Sequence, residues 1–255
     1  MRIPLFPLNS VMLPGSVQEL VIFEDRYKAL LEYCLSHDSP FGLALIKEGR
    51  EVGGPAQPYS IGTLARIVQV DRMPGERHRI VCAIGERFRI TALDKRSEPY
   101  LVAEVDLYPD EESPAAALAM VADRVAALFD EYYRYMISLA GGWQRAAGDH
   151  SRTLMFDTTA LERRSLDLSD PSRADPPVAP PALFRALPED PSQLANTVAT
   201  HLAVHVNIKQ DLLECPSALQ RLQREAEILA DELEEAEERL RVQNRRRATA
   251  FGLSN

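Results

Sequence analysis

The chain has 255 residues, 45% of them hydrophobic and 26% charged, with a formal net charge of -9. Those fractions are ordinary for a globular protein of one large domain or two small ones. The acidic balance argues against a nucleic-acid binder, whose affinity comes from neutralised phosphates, and no apolar run approaches the roughly 20 residues that span a bilayer.

Prolines at 4 and 7 interrupt the N-terminal apolar stretch, which excludes a signal peptide. Cys34, Cys82 and Cys215 are odd in number, far apart and set in apolar patterns, so they read as buried free thiols. A cytoplasmic location is expected.

Arg2–Leu8 is extended, and its prolines predict an edge strand. Pro14-Gly15 marks a turn before a second strand, Gln18–Phe23. From Asp25 to about Ser36, Tyr27, Leu30, Leu31, Cys34 and Leu35 recur at helical period on one face. Phe41–Ile46 reads as a fully apolar strand, followed by a Gly/Pro-rich loop, Gly49–Pro58. Ile61–Arg72 and Arg77–Ile84 form a hairpin about Met73-Pro74-Gly75-Glu76. Phe88–Ala92 and Leu101–Leu107 alternate apolar with polar residues, as half-buried strands do. Several such strands suggest a small barrel or sandwich.

The composition shifts at Ser113-Pro114, where a long alanine-rich helix begins and runs to about Leu139. Residues from about 148 to 190 carry repeated prolines and read as a mobile insertion. Asp190 caps a helix that continues to His205, and a short one spans about Asn207–Glu214. The last helix, about 217–247, carries a heptad seam through Leu219, Leu222, Ala226, Leu229, Leu233, Ala236 and Leu240. Two units are therefore expected, a β-rich lobe over 1–110 and a helical lobe over 111–255.

The chemistry-bearing motifs are missing. There is no GxxxxGK phosphate loop, no GxSxG elbow and no CxxC. His201 and His205 have the spacing of a helical zinc pair, but no glutamate lies between them and no third ligand is evident. Asp110-Glu111-Glu112 reads as solvated surface, and Arg77, Arg79, Arg87 and Arg89 as the wet face of a hairpin balanced by Glu86, Glu104 and Asp106. No catalytic residue, cofactor or metal ligand is assigned, so a non-enzyme is expected.

Ile3-Pro4-Leu5-Phe6-Pro7-Leu8, Leu13-Pro14-Gly15 and Ile22-Phe23-Glu24-Asp25-Arg26-Tyr27 are similar, in order and spacing, to the opening of the Lon protease N-terminal domain. Ile61–Ile67, Gly85–Ile90, Pro99–Val105, Asp190–Ala195, His201-Leu202 and Lys209–Glu214 continue the resemblance. It implies an α+β fold: a PUA-like β pseudo-barrel with one helix, then a C-terminal helical bundle with a long final helix. It also implies a non-catalytic module that recognises unfolded or tagged polypeptide, standing without the ATPase and peptidase of the protease, as an adaptor or regulator in protein quality control. A PUA-like RNA-binding module is the alternative.

Leu13, Pro14, Phe23 and Tyr27 lie at turns and element ends and are expected to line a peptide groove, with an exposed strand edge as the other means of capture. Leu229, Leu233, Ala236 and Leu240 form the seam expected to carry a weak homodimer or a partner helix.

Overall fold

A computed structural model describes residues 1–50, 56–143 and 187–252, with backbone alone at 137–143, 237 and 239–252. The proline-rich insertion lies outside the described residues, apart from its last few positions.

The N-terminal strand β1 (Arg2–Leu8) is central rather than an edge. It pairs antiparallel with β7 (Leu101–Leu107) over Arg2–Leu5 and parallel with β3 (Phe41–Gly49) over Leu5–Leu8. The neighbour changes at Leu5, so Pro4 and Pro7 are each paired on one side only. The missing N–H can then face a flank with no ladder bond to fill.

Two long strands complete the lobe. β5 (Ile61–Met73) turns through Pro74-Gly75-Glu76 into β6 (Arg77–Asp94), which runs unbroken where the sequence suggested two strands. Gly75 sits at φ +75, where a residue without Cβ is favoured. β6 pairs with β5, β5 with β3, and β6 with β7, so β1-β7-β6-β5-β3 closes on itself. The short β4 (Ala56–Pro58), which falls inside the expected loop, adds to β3. The barrel interior holds Ile3, Leu5, Ala44, Leu64, Phe88, Ala103 and Val105. Phe88 fills the bore because Gly42 and Gly62 leave room: a Cβ on either would meet the Phe88 ring, at 2.8 and 2.7 Å.

Beyond the barrel, β5 and β6 continue as a flap, joined by β2 (Val17–Ile22) along β6. Helix α1 (Asp25–His37) covers its inner face with Tyr27, Leu30, Leu31 and Cys34, four of the five positions its periodicity placed there; Leu35 is exposed.

The helical lobe comprises α2 (Ala115–Trp143), α3 (Pro191–His201), α4 (Val206–Glu214) and α5 (Ala218–Gly252). α3 stops four residues before the expected end. Leu202 turns extended, and the His205 side chain accepts from Asn207 N to start α4. α2 and α5 begin side by side, with Glu111 N donating to Pro216 O at 2.8 Å. Val125, Phe129, Tyr132 and Met136 pack with Leu222, Ala226 and Leu229. Leu13 and Ile61 from the β-rich lobe join this same cluster, so the two lobes share a core.

Candidate functional site

β2 is a six-residue strand whose odd positions, Val17, Glu19 and Val21, alternate with Gln18, Leu20 and Ile22. Ile22 is buried against α1, whereas Val17 is 62% and Val21 36% exposed. Phe23 follows in the link to α1 and is 49% exposed, which leaves about half of an aromatic side chain in water. Pro14, at the other end of the strand, is half-buried. The result is an apolar strip along one margin of the β-rich lobe.

The charges around the strip are satisfied within the chain. Arg79 bridges Asp71 at 2.9 Å and Glu19 at 3.7 Å, Arg26 meets Glu24 at 3.1 Å, and Lys28 meets Asp25 at 3.0 Å and Glu76 at 3.8 Å. These pairs set three cations against five carboxylates, so the rim is acidic on balance and disfavours an acidic ligand, while an apolar one meets no such repulsion.

The strip is held on a stiff frame. Arg87, expected on a wet face, is buried: its guanidinium donates to the Leu213 and Cys215 carbonyls at 2.7 and 2.6 Å and to Asp110 at 2.5 Å. Arg221 on α5 is wholly buried and donates to Asp110 at 2.7 Å, Asn196 at 3.1 Å and Leu212 O at 3.1 Å. Ser192 donates to the other Asp110 oxygen at 2.7 Å. Asp110 is thus the hinge pin of the two lobes rather than solvated surface. Burial works to raise its pKa, but the Arg221 charge and hydrogen bond, the Ser192 hydroxyl and Arg87 outweigh it, and the carboxyl titrates below the usual range. Tyr108 completes the joint, with the Arg87 and Arg89 guanidinium groups 4.7 and 4.5 Å from its ring centroid.

The segment Lys209–Glu214 belongs to the same joint. Lys209 donates to Thr200 O at the end of α3, and Gln210 donates to Ile61 O at the start of β5. Burial lowers the Lys209 pKa to about 8. One turn beyond Arg221, Glu225 is buried with both carboxyl oxygens unpartnered, and burial raises its pKa well above the ordinary value.

The four residues expected in a groove separate. Leu13 is 1% exposed within the shared core, and Tyr27 is buried with its ring stacked on Phe6 at 3.9 Å between centroids. Neither has surface to offer, because a turn residue between two lobes and the inner face of α1 are both enclosed. Phe23 and Pro14 remain at the surface, one at each end of β2. Val17 and Val21 were not singled out, although their alternation with Gln18 and Leu20 was legible. His201 ends α3 and His205 caps α4 from outside the helix, so they do not share a helix face.

In α5, Leu229 is buried, Leu233 packs at the margin of the core and Ala236 is buried. The seam is thus enclosed within the chain as far as Ala236, and the Leu240 side chain lies outside the described residues.

The profile of the family described as ATP-dependent protease La (LON) substrate-binding domain matches residues 2–231. A Lon protease of Azospirillum brasilense is 23% identical over 246 residues, covering 95% of this chain and 25% of that protein. Lon protease 2 of Myxococcus xanthus is 34% identical over 113 residues, covering 44% of this chain and 14% of that protein. The chain thus spans a quarter or less of the length of these relatives. Among solved structures, a Lon N-terminal domain protein from Xanthomonas campestris superposes with TM-score 0.53 at 22% identity, over 88% of this chain and 96% of that one. The N-terminal domain of a Mycobacterium avium complex Lon protease gives 0.56 at 20% identity, over 91% of this chain and 99% of that one. At these identities the likeness is one of fold.

Proposed function

The chain belongs to the substrate-binding domain family of ATP-dependent protease La (Lon), and from that premise we propose that it is a non-catalytic module that captures unfolded polypeptide. The observation that carries the reading is the exposed apolar strip of Val17, Val21 and Phe23, whose rim cations are already paired with carboxylates of the chain. An unfolded chain presents the complementary surface, short extended runs of apolar side chains. The affinity expected of so small a strip is micromolar or weaker, because ordering a flexible chain offsets much of the contact energy.

The buried joint at Asp110 supports the role of an adaptor or regulator. It ties the two lobes together, so that polypeptide held at the β-rich lobe is presented beside α2 and α5. Three free cysteines suit a reducing compartment, in keeping with a cytoplasmic site of action, and no described helix is long and apolar enough to cross a membrane.

The test uses a reduced, destabilised model protein and the full chain. Phe23→Asp together with Val21→Asp should abolish capture while leaving the melting curve in place. Capture that persists in this double variant, or the absence of any capture by the parent at high concentration, overturns the reading.

A further inference from the structure

The strip lies on a strand with a free side. β2 pairs with β6, and among the described residues no strand pairs along its other edge. The direction of its backbone groups follows from the ladder. Ile84 N donates to Ser16 O at 2.9 Å, and the register continues Val17↔Ala83, Gln18↔Cys82, Glu19↔Val81. Bonded and non-bonded pairs alternate in an antiparallel ladder. Residues 18, 20 and 22 therefore exchange bonds with β6, while Val17, Glu19 and Val21 turn their N–H and C=O groups outward. A second contact agrees: the Glu19 carbonyl, outward by this count, accepts from Gln18 Nε2 at 2.7 Å.

We propose that the open edge of β2 is a strand acceptor, which takes one extended, uncharged segment of polypeptide by backbone pairing at Val17, Glu19 and Val21, with Gln18 as a removable guard over the Glu19 carbonyl. This rests on the polypeptide-capture reading and gives it a mode.

The occupant follows from hydrogen bonding and charge. Outward backbone groups recur about every 6.8 Å, the repeat of an extended strand and of no helix. The side chains of the same three residues share one face, so a segment paired there lays every second side chain beside Val17 and Val21. Acidic residues fit poorly, because the single Arg79 cation faces both Glu19 and Asp71, and uncharged residues avoid that repulsion. A second copy fits poorly. Full antiparallel pairing of two β2 strands through these residues brings Glu19 opposite Glu19, and like charges directly opposite are destabilising. Unguarded edges invite such pairing, and blunting by a local side chain is a known remedy.

The probe is a fluorescent nine-residue peptide of alternating valine and serine, added to the full chain. N-methylation of every second residue removes donors from one edge of the peptide; the two phases of methylation address its two edges. Binding should be lost in one phase and kept in the other. Hydrogen exchange should slow at the amides of Val17, Glu19 and Val21. Gln18→Ala should tighten binding about two- to tenfold, the range of one net hydrogen bond. Equal binding by both methylated peptides, or no added protection at those three amides, overturns the edge while leaving polypeptide capture intact. Protection that rises with protein concentration without peptide assigns the edge to a second copy and overturns it too. Failure of every unmodified polypeptide to bind removes both readings.

Discussion

Arg87 on β6 and Arg221 on α5 donate to the same oxygen of Asp110, at 2.5 and 2.7 Å. Two buried cations, one from each lobe, are held together by one carboxylate. Removing it leaves two like charges facing each other out of water. Asp110→Ala should lower unfolding free energy by about 3–5 kcal/mol, the range for breaking a buried ion pair. Chemical denaturation measures it, and a loss no larger than that of an exposed pair such as Arg224–Glu227 contradicts the role.

The same carboxylate sets a response to acid. Its folded pKa lies below the ordinary value, so its stabilisation is complete above the unfolded value of about 3.9 and is lost as pH falls through the folded one. Melting temperature should drop steeply below the usual carboxylate range, and Asp110→Asn should flatten that part of the profile. Parallel curves for parent and variant would count against it.

Glu225 acts in the other direction. Its folded pKa is raised, by burial first, so the folded state keeps a proton that the unfolded state releases. The penalty grows by about 1.4 kcal/mol for each pH unit above the unfolded value until the folded value is reached. Glu225→Met should stabilise the chain at neutral pH, with the gain shrinking towards pH 4. A destabilised variant at pH 7, measured by calorimetry, would mean that the carboxylate is ionised and paired in the folded state.

Leu13 and Phe23 should part company on substitution. Leu13→Asp places a charge in the core shared by the lobes and should unfold the chain or cost about 3 kcal/mol or more. Phe23→Asp should leave the melt unchanged, since half its surface already meets water. Thermal denaturation of the two variants side by side decides it; comparable losses would mean that Phe23 is a core residue.

Polypeptide binding through a neutral strip should change little between 50 and 200 mM salt. A binder neutralising several phosphates loses on the order of a thousandfold over that interval. Titrations of unfolded protein and of single-stranded RNA at both salts separate the two; a steep salt slope with RNA and none with polypeptide would revive the nucleic-acid alternative.

The sequence by itself determined most of the elements, with β4, the continuity of β6 and the end of α3 as exceptions. α1 was legible because its apolar residues recur at helical period against one neighbouring sheet, and β7 because alternation reports a single wet face. The middle of the α5 heptad seam, Leu222, Ala226, Leu229 and Leu233, packs in the cluster that α2 enters, since a 3.5-residue repeat leaves one stripe to bury. The exposed strip was half legible: Phe23 was singled out, while Val17 and Val21 carried only an alternation that looks the same whichever face is covered.

Tertiary structure alone decided which of these surfaces met. Pro4 and Pro7 suggest an edge, and only barrel closure, with a change of neighbour at Leu5, makes β1 central. Arg87 and Asp110 read as surface charges, and Arg221 was not singled out, because local pattern cannot show a partner from a distant segment. Periodicity reports the burial of apolar groups, which any apolar neighbour satisfies. A buried charge needs one partner at one position, and that is settled only when the lobes dock.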